Sequence, residues 1–438
     1  MRQRSSQPLA TVVTVAVAYL FVAWLSRSLA DIGTQTVPVW LSAGVVFGAL
    51  ICAGPGHRFA VVVAAAVASL VWGLVGHKLS VAAALPFAAI EVASVAVGAW
   101  VALRGRHGAD LGVGAVGALI AGTLITATLG ATLAGEFWRW QRPGAAYGTE
   151  WRAWAFSTAG GILLVAPLIE AFRGFRIKRS GGMPMTQFGA GAAAFSAFLV
   201  TAWVVFGTGG EQRFGTVAAT LGYLPMPFLL LSAMVWGARG GSLAMLTGAL
   251  LVIGLTTAGG GPFVVADSFA GEAVIEVQAY VAVWAMMVLL VRGLSESRRQ
   301  ALQQARDWQL RYERTLQATG VANVEFDAVT GAAVWAEHAP AVLGTATSAF
   351  ENVDDWLACT DEADRPLAEA AWRAVSEGRK PAASETYSVR LGGRTRAVQV
   401  RWAGICGPDG AVERVAGLLR PIDDQQVQDG GAGGSRHG

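Results

Sequence analysis

Long apolar runs, rather than amphipathic periodicity, organise the first two thirds of the chain. Ten such stretches precede residue 294, at roughly 9–29, 38–54, 58–76, 80–102, 111–134, 152–171, 188–208, 215–236, 240–258 and 273–293. A helix needs about 20 residues to cross the hydrocarbon core of a bilayer, and most of the ten come close. The second is short, which leaves room for a re-entrant segment there. The opening run follows Arg2 and Arg4. It is longer than the roughly 7–15-residue apolar core of a signal peptide and further spans follow it, so it reads as a retained signal-anchor. The expected fold of residues 1–293 is therefore a polytopic all-α membrane bundle of about ten transmembrane helices. Eight spans with two re-entrant segments would leave both termini in the same place.

Past residue 293 the pattern changes twice. "RGLSESRRQALQQARDWQLRYERTLQAT" continues the last span as a charged helix, with Leu294, Ala301, Ala305, Trp308 and Tyr312 near a heptad seam that Arg298 interrupts. Residues 294–318 read as a helical linker, either pairing with a second copy or solvated as a single helix. Beyond it the alternation is of period two. "VANVEFDAVTGAAVWAE" is a strand, a turn at Thr330-Gly331 and a second strand. A helical stretch follows, with Asp364 and Pro366 as start signals. Three alternating strands then meet at Gly392-Gly393 and Asp409-Gly410, both hairpin-type turns. Residues 319–423 thus read as an α+β domain, and 424–438 as a Gly-rich tail with no capacity for a core.

Composition sharpens the division. Charged residues make up 14% of the chain, against about 25% in soluble domains. Residues 1–299 carry 19 Lys/Arg and 11 Asp/Glu, and the remainder 14 and 19. With the N-terminus in the cytoplasm, thirteen basic residues fall on the cytoplasmic side and six outside, the densest run being "FRGFRIKRSGG". That bias fixes the expected orientation, with both termini cytoplasmic in the inner (plasma) membrane. Trp138 and Trp140 in "EFWRWQRP" suit an interfacial aromatic belt. Cys52, Cys359 and Cys406 have neither metal nor disulfide spacing.

Two features carry candidate chemistry. Glu91 sits near the middle of the fourth apolar stretch, where an ionisable side chain is costly, turns inward and marks a functional site by default. The alternative is a structural Glu that holds helices together. Ser42, Ser157 and Thr158 are its candidate partners. "WAFSTAGGILLVAPLI", Trp154 to Ile169, interrupts an apolar helix with Ser157, Thr158, Gly160, Gly161 and Pro167. Small residues and hydroxyls serve close helix packing in lipid, and the same residues suit the wall of a pocket.

"VWLSAGVVFGALICAGPGHRFAVVVAAAVASLV", "AIEVASVAVGAWVALRGR", "WAFSTAGGILLVAPLI" and "LPMPFLLLSAMVWGARGGSLAMLTGALLVIGLTTAGGGPF" occur in that order. Together, over roughly residues 10–295, they resemble the first type of membrane-associated sensor (MASE) domain of bacteria. The resemblance implies an integral-membrane sensory input module, usually fused to a histidine kinase or a cyclic-di-GMP enzyme. The ligand-binding or sensing candidates are Glu91, Trp40, Ser42, Trp154, Ser157 and Thr158. The chain departs from the family pattern at Leu41, where a proline is usual, and at Thr158, near which an acidic residue is usual. "RWAGICGPDGAVERVAGLL" in the second part is similar to PAS modules, with "TDEADR" and "PID" as divergent landmarks. His338 is the only histidine inside that domain, and no cysteine sits in a flavin-adduct pattern, so no cofactor is expected.

The expected function is that of a membrane sensor. It relays a membrane or extracytoplasmic cue through the helical linker to the PAS-like domain, without catalytic output of its own. No P-loop, cyclase or phospho-acceptor motif is visible. The partners expected are the lipid bilayer, a second copy through the linker and PAS-like domain, and a separate histidine kinase or cyclic-di-GMP enzyme; nucleic acid is not among them. The alternatives are a small-molecule or ion transporter with a regulatory PAS domain, and a truncated sensor kinase or diguanylate cyclase. "GALICAGPGHRFAVVV" faintly echoes "SAMVWGARGGSLAML" as paired helices around a short basic turn, the kind of internal echo a transporter carries.

Overall fold

The computed structural model describes residues 6–31, 33–106, 112–175, 183–209, 221–264 and 271–422. Arg2, Arg4, the basic run 176–179, the start of the 215–236 stretch and the tail from 424 lie outside the described residues. The chain divides into two compact units, Met1–Gln300 and Ala301–Gly438.

Among its described residues the regular elements of the first unit are all helices, α1 Ser6–Ser28, α2 Leu41–Cys52, α3 Pro55–Val75, α4 Val81–Gly105, α5 Val113–Gln141, α6 Tyr147–Ala171, α7 Met185–Phe206 and α8 Met226–Thr257, followed by α9 Glu272–Ala318, which runs past its boundary. Eight of these are long and apolar enough to cross a membrane, fewer than the ten expected, in part because the 215–236 and 240–258 stretches share α8. The exception among the described residues is α2, whose 12 residues rise only about 18 Å at 1.5 Å each. Non-helical backbone leads into it, and such backbone is tolerated at membrane depth only where protein satisfies it. Here three helices do so. Gln278 of α9 donates to the Pro38 carbonyl at 2.8 Å, the Trp40 N–H donates to the Ser157 carbonyl of α6 at 2.9 Å, and the Leu41 N–H donates to Ser26 Oγ of α1 at 3.0 Å.

The described part of the 215–236 stretch and the 240–258 stretch share one element, α8, which is interrupted where the sequence sets the two apart around a short basic turn. It breaks at Gly237, whose φ of 66° and ψ of −156° lie outside the helical region in territory that suits only glycine. Residues eight apart along an unbroken helix are about 12 Å apart. Yet a Cβ on Gly241 would lie 3.0 Å from Ala233 Cα, and one on Gly248 would meet Leu229. The element therefore folds back as a helical hairpin. The two echoing stretches both form a short helix followed, across a tight turn, by a longer one.

Close approach between helices is carried by glycine. A Cβ on Gly44 of α2 would overlap the Gly161 carbonyl of α6, one on Gly161 would overlap the Trp40 carbonyl, and one on Gly98 of α4 would overlap Thr126 Oγ1 and the Gly122 carbonyl of α5. With no hydrophobic drive between helices in lipid, backbone-to-backbone packing of this kind holds them together.

The second unit follows the order read from its alternation: β1 Ala322–Asp327, β2 Ala333–Trp335, the short helices α10 Ala339–Leu343, α11 Val353–Ala358 and α12 Arg365–Ser376, then β3 Ala382–Leu391, β4 Arg394–Cys406 and β5 Val412–Ile422. The strands form one antiparallel sheet in the order β2-β1-β5-β4-β3. Gly392 and Gly393, both at positive φ, close the β3–β4 hairpin as a two-residue primed turn demands. Trp356, Trp402, Tyr387 and Phe326 are fully buried beneath the sheet, with Trp356 Nε1 donating to Tyr387 Oη at 3.1 Å. Two strands, three helices and three strands around one aromatic core make this a PAS-like domain.

The α2–α6 contact gives a direct test. Gly161→Leu must push the Trp40 backbone away, and overpacking of that kind costs about 1–3 kcal/mol or more. Gly148, on the same helix with nothing within 4 Å of a Cβ, provides the control. Gly161→Leu is expected to lower the thermal midpoint of the detergent-solubilised protein or abolish its monodisperse peak, and Gly148→Ala to leave both unchanged. Equal behaviour of the two variants would refute the close-packed interface.

Candidate functional site

The carboxylate of Glu91 is the meeting point of four segments. Glu91 is 3% exposed. Its Oε1 accepts from Trp40 Nε1 at 2.5 Å, and its Oε2 accepts from Tyr19 Oη at 2.5 Å and from Ser69 Oγ. Tyr19 belongs to α1, Trp40 to the segment entering α2, Ser69 to α3 and Glu91 to α4. Among the described residues no cation pairs with it. A buried carboxyl is tolerated when its oxygens are hydrogen-bonded, and three donors serve here in place of a counter-ion.

These are not the partners expected from the sequence. Ser42 donates to the Tyr19 carbonyl at 3.1 Å and Ser157 to the Trp154 carbonyl at 3.2 Å, while Thr158 faces a cavity. Helix rotation sets which hydroxyl meets the carboxylate. Tyr19 and Ser69 give no sign of their role in an apolar run, where they read as ordinary span residues.

Directly above Trp40, at the end of the bundle that carries Arg27 and Arg142, lies a cavity of about 270 Å³. Four of the six predicted residues line it: Trp40, Trp154, Ser157 and Thr158. Glu91 does not line it, and its contact with the cavity runs through the indole of Trp40. Ser42 is not among the lining residues either. Trp138, expected in an interfacial belt, is buried and forms part of the wall, whereas Trp140 is exposed. Phe87, His77, Arg27, Arg142 and Glu150 complete the chemistry of the lining. The two arginines sit at helix ends, where the sequence reading counted them only as topology charges.

The lining is a connected aromatic shell. His77 packs edge-on to Phe87 at 5.0 Å and to Trp138 at 5.5 Å, and Phe87 meets Trp154 at 5.9 Å. Arg142 lies over the Trp138 ring at 4.4 Å. Burial, reinforced by the Arg27 and Arg142 charges, pushes the His77 imidazole down to about 4, so it is neutral at physiological pH. Gln35 and Lys78 are the two non-glycine residues with positive φ among the described residues. Gln35 lines the cavity and Lys78 follows His77. Strained backbone of this kind persists where the surroundings over-determine it.

At the opposite end of the bundle, Arg106, which caps α4, forms an ion pair with Glu170 of α6, and Arg292 of α9 donates to Ser242 Oγ of α8 at 2.6 Å. No group of three or more His, Cys, Asp or Glu suited to a metal ion occurs among the described residues.

Residues 10–299 match the MASE1 family. The chain matches no curated protein. Solved structures similar to part of it include a sensory box histidine kinase/response regulator from Burkholderia thailandensis E264, at 20% identity and a TM-score of 0.24, covering 27% of this chain and 90% of that one. A domain described as that of a light and redox sensing histidine kinase from Haloarcula marismortui is also similar, at 21% identity and a TM-score of 0.21, covering 24% and 90%.

Two outcomes follow from the geometry. In Glu91→Gln the amide oxygen accepts from Trp40, and the amide NH2 donates to the Tyr19 and Ser69 hydroxyls, which reverse to accept. This variant is expected to purify and melt near wild type. Glu91→Leu strands three buried donors at about 1–3 kcal/mol each and is expected to lose its monodisperse peak, so equal yields of the two variants would refute the network. For His77, the unfolded chain takes up a proton near pH 6.5 while the folded chain resists until about 4. Stability therefore falls as pH drops through that window, because the unfolded state binds more protons there. His77→Asn should flatten the pH dependence of the thermal midpoint between about pH 6.5 and 4.5, and an unchanged slope would sink the assignment.

Proposed function

The chain belongs to the MASE1 family, and on that premise we propose that it is a multi-pass sensor of the inner membrane that relays an extracytoplasmic cue to its PAS-like domain by conformational change. The basic side of the bundle, with Arg106, Arg173, Arg239 and Arg292, faces the cytoplasm by the positive-inside bias. The cavity end, with Arg27 and Arg142, then faces out, and both termini are cytoplasmic.

One observation carries the reading: the segment that walls the cavity is hydrogen-bonded to the helix that leaves the membrane. Trp40 lines the cavity and donates to Glu91. Two residues earlier, the Pro38 carbonyl accepts from Gln278 on α9. Helix α9 runs without interruption from Glu272 to Ala318, immediately before β1. A ligand that moves the 36–40 segment displaces α9 at Gln278, and a ligand shifts such an equilibrium only by its differential affinity for the two states. Leu294, Trp308 and Tyr312 are exposed along α9, which supports pairing with a second copy there. The output is taken to be conformational, passed to a separate histidine kinase or cyclic-di-GMP enzyme.

A transporter is the second reading, favoured by the short α2 and the broken α8, since discontinuous helices build transport sites. The two readings part at the linker, because transport has no need of a rigid α9. Inserting four residues after Gln304 turns everything downstream by about 40° and shifts it by about 6 Å. The readout is hydrogen exchange of residues 322–422 in the full chain in nanodiscs, comparing wild type with Glu91→Gln. The sensor reading expects Glu91→Gln to alter exchange in the PAS-like unit and the insertion to abolish that difference. A cytoplasm-dependent reporter should stay active after Arg299 and silent after Gln141 in both backgrounds. Exchange in the second unit that ignores Glu91→Gln in the uninterrupted chain would overturn the relay.

A further inference from the structure

We propose that the cavity above Trp40 takes a small carboxylate with a flat apolar body, its carboxylate held between Arg27 and Arg142 and its ring against the tryptophan walls. The proposal rests on the reading of this cavity as the sensory site.

Size comes first. At about 270 Å³ the cavity lies just below the range of roughly 300–1,000 Å³ typical of drug-sized ligands, so the occupant is small. The walls choose its shape. Phe87 meets Trp154 edge to face at 5.9 Å and Trp138 at 6.2 Å, and Trp40 lies tilted at 6.4 Å from His77. A flat ligand gains offset or edge contacts against such rings beyond its area burial.

Charge then decides the class. The ionisable groups lining the cavity are Arg27, Arg142, Glu150 and His77. His77 is neutral, so the lining carries two positive charges against one negative. None of the three charged groups forms an ion pair among the described residues. Arg142 is oriented by its stack on Trp138, and Arg27 is turned toward Gln35, whose carbonyl and side-chain oxygen it meets at 3.4 Å. Both guanidinium groups act on the imidazole inside the wall, where they help keep a proton off it. The same field draws a carboxylate, whose geometry matches the planar guanidinium fork. A tryptophan-lined box often selects a cation, but here Arg142 already occupies the Trp138 face. Glu91 does not line the cavity, and its oxygens are turned to Tyr19, Trp40 and Ser69. Glu150 is the one opposing charge and should weaken anion binding.

The test uses three near-isosteric probes on the full chain in nanodiscs of zwitterionic lipid: phenylacetate, phenylacetamide and phenethylammonium. Affinities are read by equilibrium dialysis, with Trp154→Ala to confirm the location. Hydrogen bonds to charged groups contribute about 1.5–3 kcal/mol, so phenylacetate should bind about tenfold or more tighter than the amide, with the amine weakest. Arg142→Gln should weaken phenylacetate by about tenfold and Glu150→Gln should strengthen it, and neither residue takes part in the Glu91 network. Preference for the amine or the amide, lost in Trp154→Ala, would overturn the carboxylate while leaving the cavity as the ligand site. Failure of all three probes to bind at millimolar concentration, or binding indifferent to Trp154→Ala, would overturn both.

Discussion

A carboxyl buried in the interior of a membrane bundle must have every oxygen satisfied by protein, and Glu91 meets that demand with three donors drawn from three different segments. Water is absent at that depth, and each unmet donor or acceptor costs several kcal/mol. The arrangement of α1, the entry to α2, α3 and α4 is therefore not a matter of apolar packing alone. The indole of Trp40 must lie where its N–H reaches Oε1, and its ring then becomes the floor of the cavity. The position of one carboxylate thus sets the position of the wall of the candidate site.

The same constraint explains the short helix. A 12-residue α2 leaves several residues of extended backbone inside the bundle, and that backbone is satisfied by Ser26, Ser157 and Gln278 from three surrounding helices. The donor from α9 is the side chain of Gln278, on the helix that runs on to Ala318. Glycine pairs such as Gly44 with Gly161 hold α2 close enough for these bonds to form. The aromatic shell and its two arginines occupy the space left above Trp40, where helices end and charged side chains reach the interface.

Much of this was legible in the order of residues. Apolar runs of about twenty residues determine a membrane bundle, because length against bilayer thickness needs no knowledge of neighbours. Period-two alternation broken by Gly-Gly and Asp-Gly determines the hairpins of the second unit, since turn conformations are a local property of glycine. Glu91 stood out because its cost in lipid depends on depth alone. Four of the six candidate residues do line one cavity, brought there by the two stretches that approach each other at Gly161.

Tertiary structure alone decided the rest. Hydropathy counts residues but cannot tell whether the Pro38 carbonyl will find a donor on a helix 240 residues away, so it left the second stretch open between a short span and a re-entrant segment. It did separate the two arms of α8 around a short basic turn, but that Gly237 makes the turn and that Gly241 seats against Ala233 are properties of the fold. Nor could it choose Tyr19 and Ser69 over Ser42 and Thr158 as partners of Glu91, or place Trp138, Arg27 and Arg142 around a shared space. Those choices depend on how each helix is rotated about its axis. In lipid that rotation is set by close packing and buried hydrogen bonds between segments, which no single segment contains.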